Sequence, residues 1–152
     1  MNATNGLTRI LVIDDEPELL DMLQERLQSW GYHVVTATSG EAGLRAAAAH
    51  QPALILLDVV MPQMKGREVC ARLKADPHTR AIPVIFLTAL EMPDHIKAGM
   101  ELGAEDYLVK PFTADELKER ITLCLLRHAG RLVSQSNGRQ HDRDTTAADF
   151  GG

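Results

Sequence analysis

The chain has 152 residues, of which 45% are hydrophobic and 24% charged, with a formal net charge of -5 at pH 7. This length supports one domain with a sizeable core and is too short for two full ones. The composition is that of an ordinary globular protein and lacks the lysine and arginine excess of most nucleic-acid readers, so we expect no direct DNA binding.

Five short apolar segments predict strands, and the longer stretches between them predict crossover helices. Four segments are apolar throughout, as expected for parallel strands covered on both faces: 10–13, 54–57, 84–87 and 107–109. Segment 34–37 is weaker, and its threonine and alanine fit an edge position. The pattern predicts an α/β protein of the (βα)5 type.

The first two helices are marked by their terminal residues. Pro17 favours the first turn of a helix that ends near Gly31. Ser39 is a capping residue for a second helix, which ends before Pro52.

Three further helices follow. One begins near Gly66, and the next runs from about residue 93 to Leu102. Thr113 and Glu116 form a capping box that opens a fifth helix, ending near His128. We interpret residues 8–128 as the folded domain. We interpret residues 129–152, which are rich in polar side chains, as a flexible tail without an output domain.

Polar side chains follow four of the five predicted strands. The carboxyl ends of parallel strands meet at one edge of a doubly wound sheet, where ligands bind. We therefore expect a single site built from Asp14, Asp15 and Glu16 after the first strand, Asp58 after the third, Thr88 after the fourth and Lys110 after the fifth.

This set of residues favours phosphoryl chemistry. Clustered aspartates repel one another and need a compensating cation. Mg²⁺ binds oxygen ligands, keeps several waters and commonly takes one or two carboxylates plus a phosphate. With Asp58 as nucleophile, the metal and Lys110 would stabilise charge on the transferred oxygens, and Thr88 would donate a hydrogen bond. The predicted product is an acyl phosphate.

The chain resembles a receiver domain of two-component response regulators. The resemblance covers roughly residues 8–128 and is carried by ILVIDDE at 10–16, LDVVMPQMKG at 57–66, FLTA at 86–89 and GAEDYLVKPF at 103–112. It implies a flavodoxin-like fold with five parallel strands in the order 2-1-3-4-5 and helices on both faces.

The resemblance also implies roles for single residues. Asp58 resembles the phosphoacceptor, and Asp15 the carboxylate that contacts the metal directly, whereas Asp14 would act mostly through water. Val60 would offer its backbone carbonyl to Mg²⁺, for which Mn²⁺ could substitute.

Three more positions match the family. Thr88 and Tyr107 resemble the pair that moves when the domain is phosphorylated. Lys110 resembles the phosphoryl-binding lysine, and the Lys110–Pro111 peptide bond would be cis.

The implied function is a cytoplasmic switch and not a metabolic enzyme. A sensor histidine kinase, a phosphotransfer protein or a small acyl phosphate would supply the phosphoryl group. The output would be a protein target or a self-dimer formed through the fourth helix, fifth strand and fifth helix, where Leu123 and Leu126 are expected to be exposed.

Autodephosphorylation should be slow, because Val60 and Leu90 cannot orient a water molecule. The two cysteines indicate a reducing compartment, and no apolar run approaches the ~20 residues of a membrane span.

Three alternatives remain open at this point. A phosphatase of the haloacid-dehalogenase type normally has a second aspartate two residues after its nucleophile, where this chain has Val60. A flavodoxin must hold a phosphate in its first loop, where Asp14, Asp15 and Glu16 would repel it. A receiver-shaped interaction module without phosphorylation is the third, and a labelling assay would distinguish it.

Overall fold

The computed structural model describes residues 8–61, 64–89, 97 and 99–141, with side chains up to residue 129. The chain falls into two compact units, Met1–Leu117 and Lys118–Gly152. The first unit contains the whole sheet.

The sheet has five parallel strands in the order β2-β1-β3-β4-β5. This confirms the predicted fold class and strand order. The strands are β1 Arg9–Ile13, β2 His33–Ala37, β3 Leu54–Asp58, β4 Val84–Thr88 and β5 Asp106–Val109.

Burial separates the central strands from the edge strands. Every residue of β3 and β4 is buried, and so are the last four of β1. The expectation that β5 would be covered on both faces is wrong, because β5 lies at an edge of the sheet and Tyr107 and Val109 are only partly buried. An apolar run of three residues, 107–109, was too short to specify how completely the strand is covered.

Three helices of the first unit are fully described: α1 Pro17–Ser29, α2 Gly40–His50 and α3 Gly66–Ala75. Residues 97 and 99–101 are helical and are labelled α4. The predicted start of this fourth helix lies outside the described residues. Its predicted end is confirmed, since Gly103 has a positive φ of 102° and donates to the Met100 carbonyl at 3.0 Å.

Both predicted side-chain caps are present. Ser39 Oγ accepts the Ala42 N–H at 3.1 Å at the start of α2. At the other cap, the Thr113 N–H donates to Glu116 Oε1 at 2.9 Å, and the Glu116 N–H donates to Thr113 Oγ1 at 3.0 Å. These bonds satisfy backbone donors that have no partner within the first helical turn.

Helix α5 spans Ala114–His141. The predicted end near His128 is therefore wrong, because helical hydrogen bonding continues through a polar segment that lacks proline. Leu123 and Leu126 are 47% and 64% exposed, as predicted, whereas Ile121 and Cys124 on the same helix are buried. The division into a domain at 8–128 and a tail stays a prediction.

Among the described helices, none is both long enough and apolar enough to cross a bilayer.

Candidate functional site

The site lies at the carboxyl edge of the sheet, where β1 and β3 bring two aspartates together. Asp14 directly follows β1 and is fully buried, and Asp58 is the last residue of β3 and 5% exposed. The Asp14 N–H donates to the Ala37 carbonyl at 3.1 Å, which fixes the backbone after β1. Asp14 Oδ1 accepts the Glu16 N–H at 2.9 Å, so this carboxylate is oriented by the loop itself.

Lys110 reaches the same edge from the end of β5. Its backbone N–H donates to the Thr88 carbonyl at 2.7 Å, which ties the residue to the end of β4. Its Nζ atom lies 3.3 Å from Asp14 Oδ2, 3.4 Å from Glu16 Oε1 and 3.6 Å from Asp58 Oδ1. One ammonium thus faces three carboxylates.

The electrostatics of the site favour an additional cation. Burial, together with the charge of Asp14, raises the pKa of Asp58 to about 6, although Lys110 acts to lower it. Burial also acts to lower the pKa of Lys110, but the charges of Asp58 and Asp14 more than offset that effect and leave it above its ordinary value. Lys110 alone therefore does not compensate the carboxylates.

The carboxylates of Asp14, Asp15 and Asp58 can present oxygens within 4.8 Å of one another, a spacing compatible with one shared ion. Asp15 is partly exposed and lines a cavity of about 470 Å³. The donor set consists of oxygens and carries excess negative charge, so it fits a hard divalent cation.

The remaining predicted residues lie around this cluster. Val60 donates its backbone N–H to Asp58 Oδ1 at 3.3 Å, and its side chain is 56% exposed. Thr88 is buried at the end of β4, and Tyr107 on β5 is paired with Phe86 and packs partly against the core. The Lys110–Pro111 peptide bond is cis.

The structure reveals two features that the sequence analysis missed. The sequence placed Glu16 among the acidic residues of the site but did not predict its contact with Lys110. Gly66 packs so closely that an added Cβ would collide with the Asp58 carbonyl oxygen and lie 2.8 Å from Val59 Cα. In the sequence, the only sign of this close contact is the glycine that ends the segment LDVVMPQMKG.

Comparisons with known proteins agree with this fold. The family model of the response regulator receiver domain matches residues 10–122. A receiver domain of a sensor histidine kinase from Pseudomonas aeruginosa, solved with a magnesium ion coordinated in its active site cleft, is 28% identical with a TM-score of 0.73. That match covers 78% of this chain and 98% of the other.

Two curated relatives are transcriptional regulators. The "DNA-binding dual master transcriptional regulator RpaA" of Synechocystis is 42% identical over 127 residues, covering 83% of this chain and 52% of the relative. The "alkaline phosphatase synthesis transcriptional regulatory protein PhoP" of Bacillus subtilis is 40% identical over 119 residues, covering 78% and 49%. The chain spans about half the length of the curated relatives it matches.

The chain belongs to the response regulator receiver domain family, the phosphoryl-transfer signalling domains of two-component systems. The expectation of no direct DNA binding is wrong for this group of proteins, because RpaA is named a DNA-binding regulator. The expectation relied on the net charge of this chain. That charge reflects only the part of each relative that the chain matches, which is about half.

Proposed function

We propose that Asp58 accepts a phosphoryl group and that its phosphorylation switches the domain between two signalling states. The observation that carries this proposal is the position of a buried Asp58 carboxylate 3.6 Å from the Lys110 ammonium and beside Asp14. A carboxylate nucleophile, an oriented cation and a second acidic residue at one sheet edge are the groups that such a transfer requires.

The proposed transfer is a displacement at phosphorus. An Asp58 oxygen attacks, a bond between that oxygen and phosphorus forms, and the bond between phosphorus and the donor breaks. The leaving group departs with the electron pair of the broken bond, and it is acetate when acetyl phosphate is the donor. Lys110 stabilises negative charge on the transferred oxygens, and the buried hydroxyl of Thr88 offers them a hydrogen-bond donor.

We propose that Asp14, Asp15, Asp58 and the Val60 carbonyl hold Mg²⁺, directly or through water. Bound Mg²⁺ supplies charge neutralisation for the phosphoryl group and for the carboxylates. Mn²⁺ would serve as well, because it also takes oxygen ligands. This chain contributes the fixed orientation of Asp14, which the Glu16 N–H and Lys110 provide.

Phosphorylation would be transmitted by Thr88 and Tyr107. Thr88 ends β4, and Tyr107 lies on the adjacent strand β5 with its ring only partly buried. We propose that the Thr88 hydroxyl moves toward the phosphoryl group and that the Tyr107 ring turns inward into the space this creates.

The proposed phosphodonor is a sensor histidine kinase or phosphotransfer protein, and the proposed output is transcriptional. The output part of this proposal is supported by the names of the relatives RpaA and PhoP. We propose that this phosphoryl transfer takes place in the cytoplasm, because the free, buried thiols of Cys70 and Cys124 fit a reducing compartment.

Labelling with acetyl phosphate tests the phosphoacceptor. We expect one phosphoryl group per chain, detected by intact mass and labile to alkali, only when Mg²⁺ is present. Asp58→Asn should remain unlabelled because it keeps the shape but lacks the nucleophile. Asp21→Asn, which removes an exposed carboxylate from α1, is the matched control and should label normally. Full labelling of Asp58→Asn would contradict the proposal and favour a different acceptor, whereas an unlabelled wild type would favour an interaction module.

We also propose that the acyl phosphate on Asp58 is hydrolysed slowly and that the domain does not turn over substrate as an enzyme. The exposed side chain of Val60 has no polar atom to align a water molecule with phosphorus. Leu90, the other apolar residue predicted to slow hydrolysis, lies outside the described residues.

Replacing Val60 tests this explanation of the lifetime. Val60→Asn should speed loss of the label by roughly threefold to tenfold, short of the ~100-fold that a positioned general base provides. Val60→Ile keeps an apolar side chain and should decay at the wild-type rate. Equal decay in all three proteins, followed by intact mass at saturating Mg²⁺, would show that side-chain orientation of water does not limit the lifetime.

A further inference from the structure

The side chain of Glu16 makes a contact with Lys110 that the proposed chemistry does not use. Lys110 Nζ lies 3.4 Å from Glu16 Oε1, close enough for a hydrogen bond, and 3.3 Å from Asp14 Oδ2. The distance to Asp58 Oδ1 is longer, at 3.6 Å. In the unphosphorylated protein, the ammonium is therefore bonded to two carboxylates that do not react.

The backbone around Glu16 is fixed on both sides. Its N–H donates to Asp14 Oδ1 at 2.9 Å, and its carbonyl accepts the Leu20 N–H at 3.1 Å as α1 begins. Glu16 occupies the position before the first residue of that helix. Although its side chain is 63% exposed, it starts from a fixed point beside Lys110.

Transfer to Asp58 changes what Lys110 must contact. The transferred phosphoryl oxygens would lie on the Asp58 side of Lys110, so these oxygens and Glu16 would compete for the same ammonium. Asp14 is fully buried and lies 3.3 Å from the Lys110 ammonium. Glu16 is the exposed partner in this competition.

We propose that Glu16 is a positioning residue that competes for the Lys110 ammonium before phosphorylation and so lowers the maximal rate of phosphoryl transfer. This inference rests on the proposed phosphorylation of Asp58. It assigns to Glu16 an effect on the transition state, where Lys110 acts, and not merely an effect on donor binding.

A simple charge effect predicts a different result. Glu16 is exposed, and its negative charge repels an anionic donor, which raises the donor concentration needed for half-maximal rate. Repulsion of this kind is screened by salt and shared by neighbouring acids. A restraint on Lys110 changes the maximal rate and depends on the particular residue.

The experiment compares Glu16→Gln with Glu18→Gln, which removes the same charge from the exposed first turn of α1. Rates of labelling by acetyl phosphate at saturating Mg²⁺ give the maximal rate and the half-saturating donor concentration for each protein. We expect Glu16→Gln to raise the maximal rate about threefold, the size expected for loss of an exposed ion pair, and Glu18→Gln to leave it unchanged. Glu16→Asp, which keeps the charge on a shorter side chain, should fall between wild type and Glu16→Gln.

A second measurement reports the restraint without any chemistry. In metal-free protein with ¹⁵N-labelled lysine, the Lys110 ammonium signal should shift in Glu16→Gln and stay in place in Glu18→Gln. The inference would be overturned if Glu16→Gln changed neither the ammonium signal nor the maximal rate. It would also be overturned if Glu16→Gln and Glu18→Gln raised the maximal rate equally. If wild type takes no label, the proposed function fails, and the ammonium signal still decides whether Glu16 restrains Lys110.

Discussion

Replacing Asp58 with asparagine is expected to stabilise the metal-free protein by about 3 kcal/mol at pH 7. The Asp58 carboxyl has its pKa raised from 3.8 to about 6, chiefly by burial and then by Asp14. Each tenfold rise in proton affinity corresponds to ~1.4 kcal/mol of preference for the neutral carboxyl in the folded state. Asparagine is neutral and similar in shape, so it removes this cost.

The pH dependence gives this prediction a sign. Between pH 3.8 and about 6, the unfolded chain loses the Asp58 proton while the folded chain keeps it. Folding therefore loses stability as pH rises through this window, and the loss is complete above it. The advantage of Asp58→Asn should be small near pH 4 and largest at pH 7.

Denaturant unfolding of both proteins across this pH range measures the effect. The control Glu18→Gln also removes one negative charge, but from an exposed position. It should alter the free energy of unfolding by less than ~0.5 kcal/mol at pH 7. Mg²⁺ should stabilise wild type more than Asp58→Asn, since it compensates the charge that the variant lacks. A variant no more stable than wild type at pH 7 would contradict the raised pKa.

Gly66→Ala is expected to destabilise the protein by about 2 to 3 kcal/mol, the upper part of the range for overpacking a closely packed site. The added Cβ would collide with the Asp58 carbonyl oxygen, which belongs to the backbone and cannot rotate away. The Gly66 N–H also donates to the Val59 carbonyl at 2.9 Å, so α3 cannot retreat without losing a bond. Because the collision lies at Asp58, the labelling rate should fall as well.

Gly31→Ala is the control for this prediction. Gly31 has a φ of 94°, and an added Cβ there would meet no atom within 4 Å. Its cost is backbone strain alone, about 1 kcal/mol, and labelling should proceed at the wild-type rate. Thermal unfolding and acetyl phosphate labelling of both variants decide the matter. A Gly66→Ala protein as stable and as reactive as wild type would show that the loop at Val59 can move freely.

Local features of this protein were determined by the sequence. Ser39 and the pair Thr113 and Glu116 form the predicted caps, because a cap bonds to backbone groups within one helical turn. The alternation between short apolar runs and helical stretches was sufficient for the fold class. Strand order came from the family resemblance, since periodicity does not specify which strands are neighbours.

Helix and strand limits depended more on context. Helix α5 continues to His141 although the polar composition after residue 128 favoured a tail, because helical backbone hydrogen bonding does not require apolar side chains. The partial burial of β5 depends on how completely the strand is covered, and a short apolar run does not specify that coverage.

The identities of the reacting groups were readable from Asp14, Asp15, Asp58 and Lys110, because parallel strands deliver their ends to one edge. Only the tertiary structure decided how these groups share charge. The raised pKa of Asp58 depends on burial, and the bond between Lys110 and Glu16 joins residues 94 positions apart. Distances across a sheet edge are set by packing of the whole domain, and the spacing of residues along the chain does not encode them.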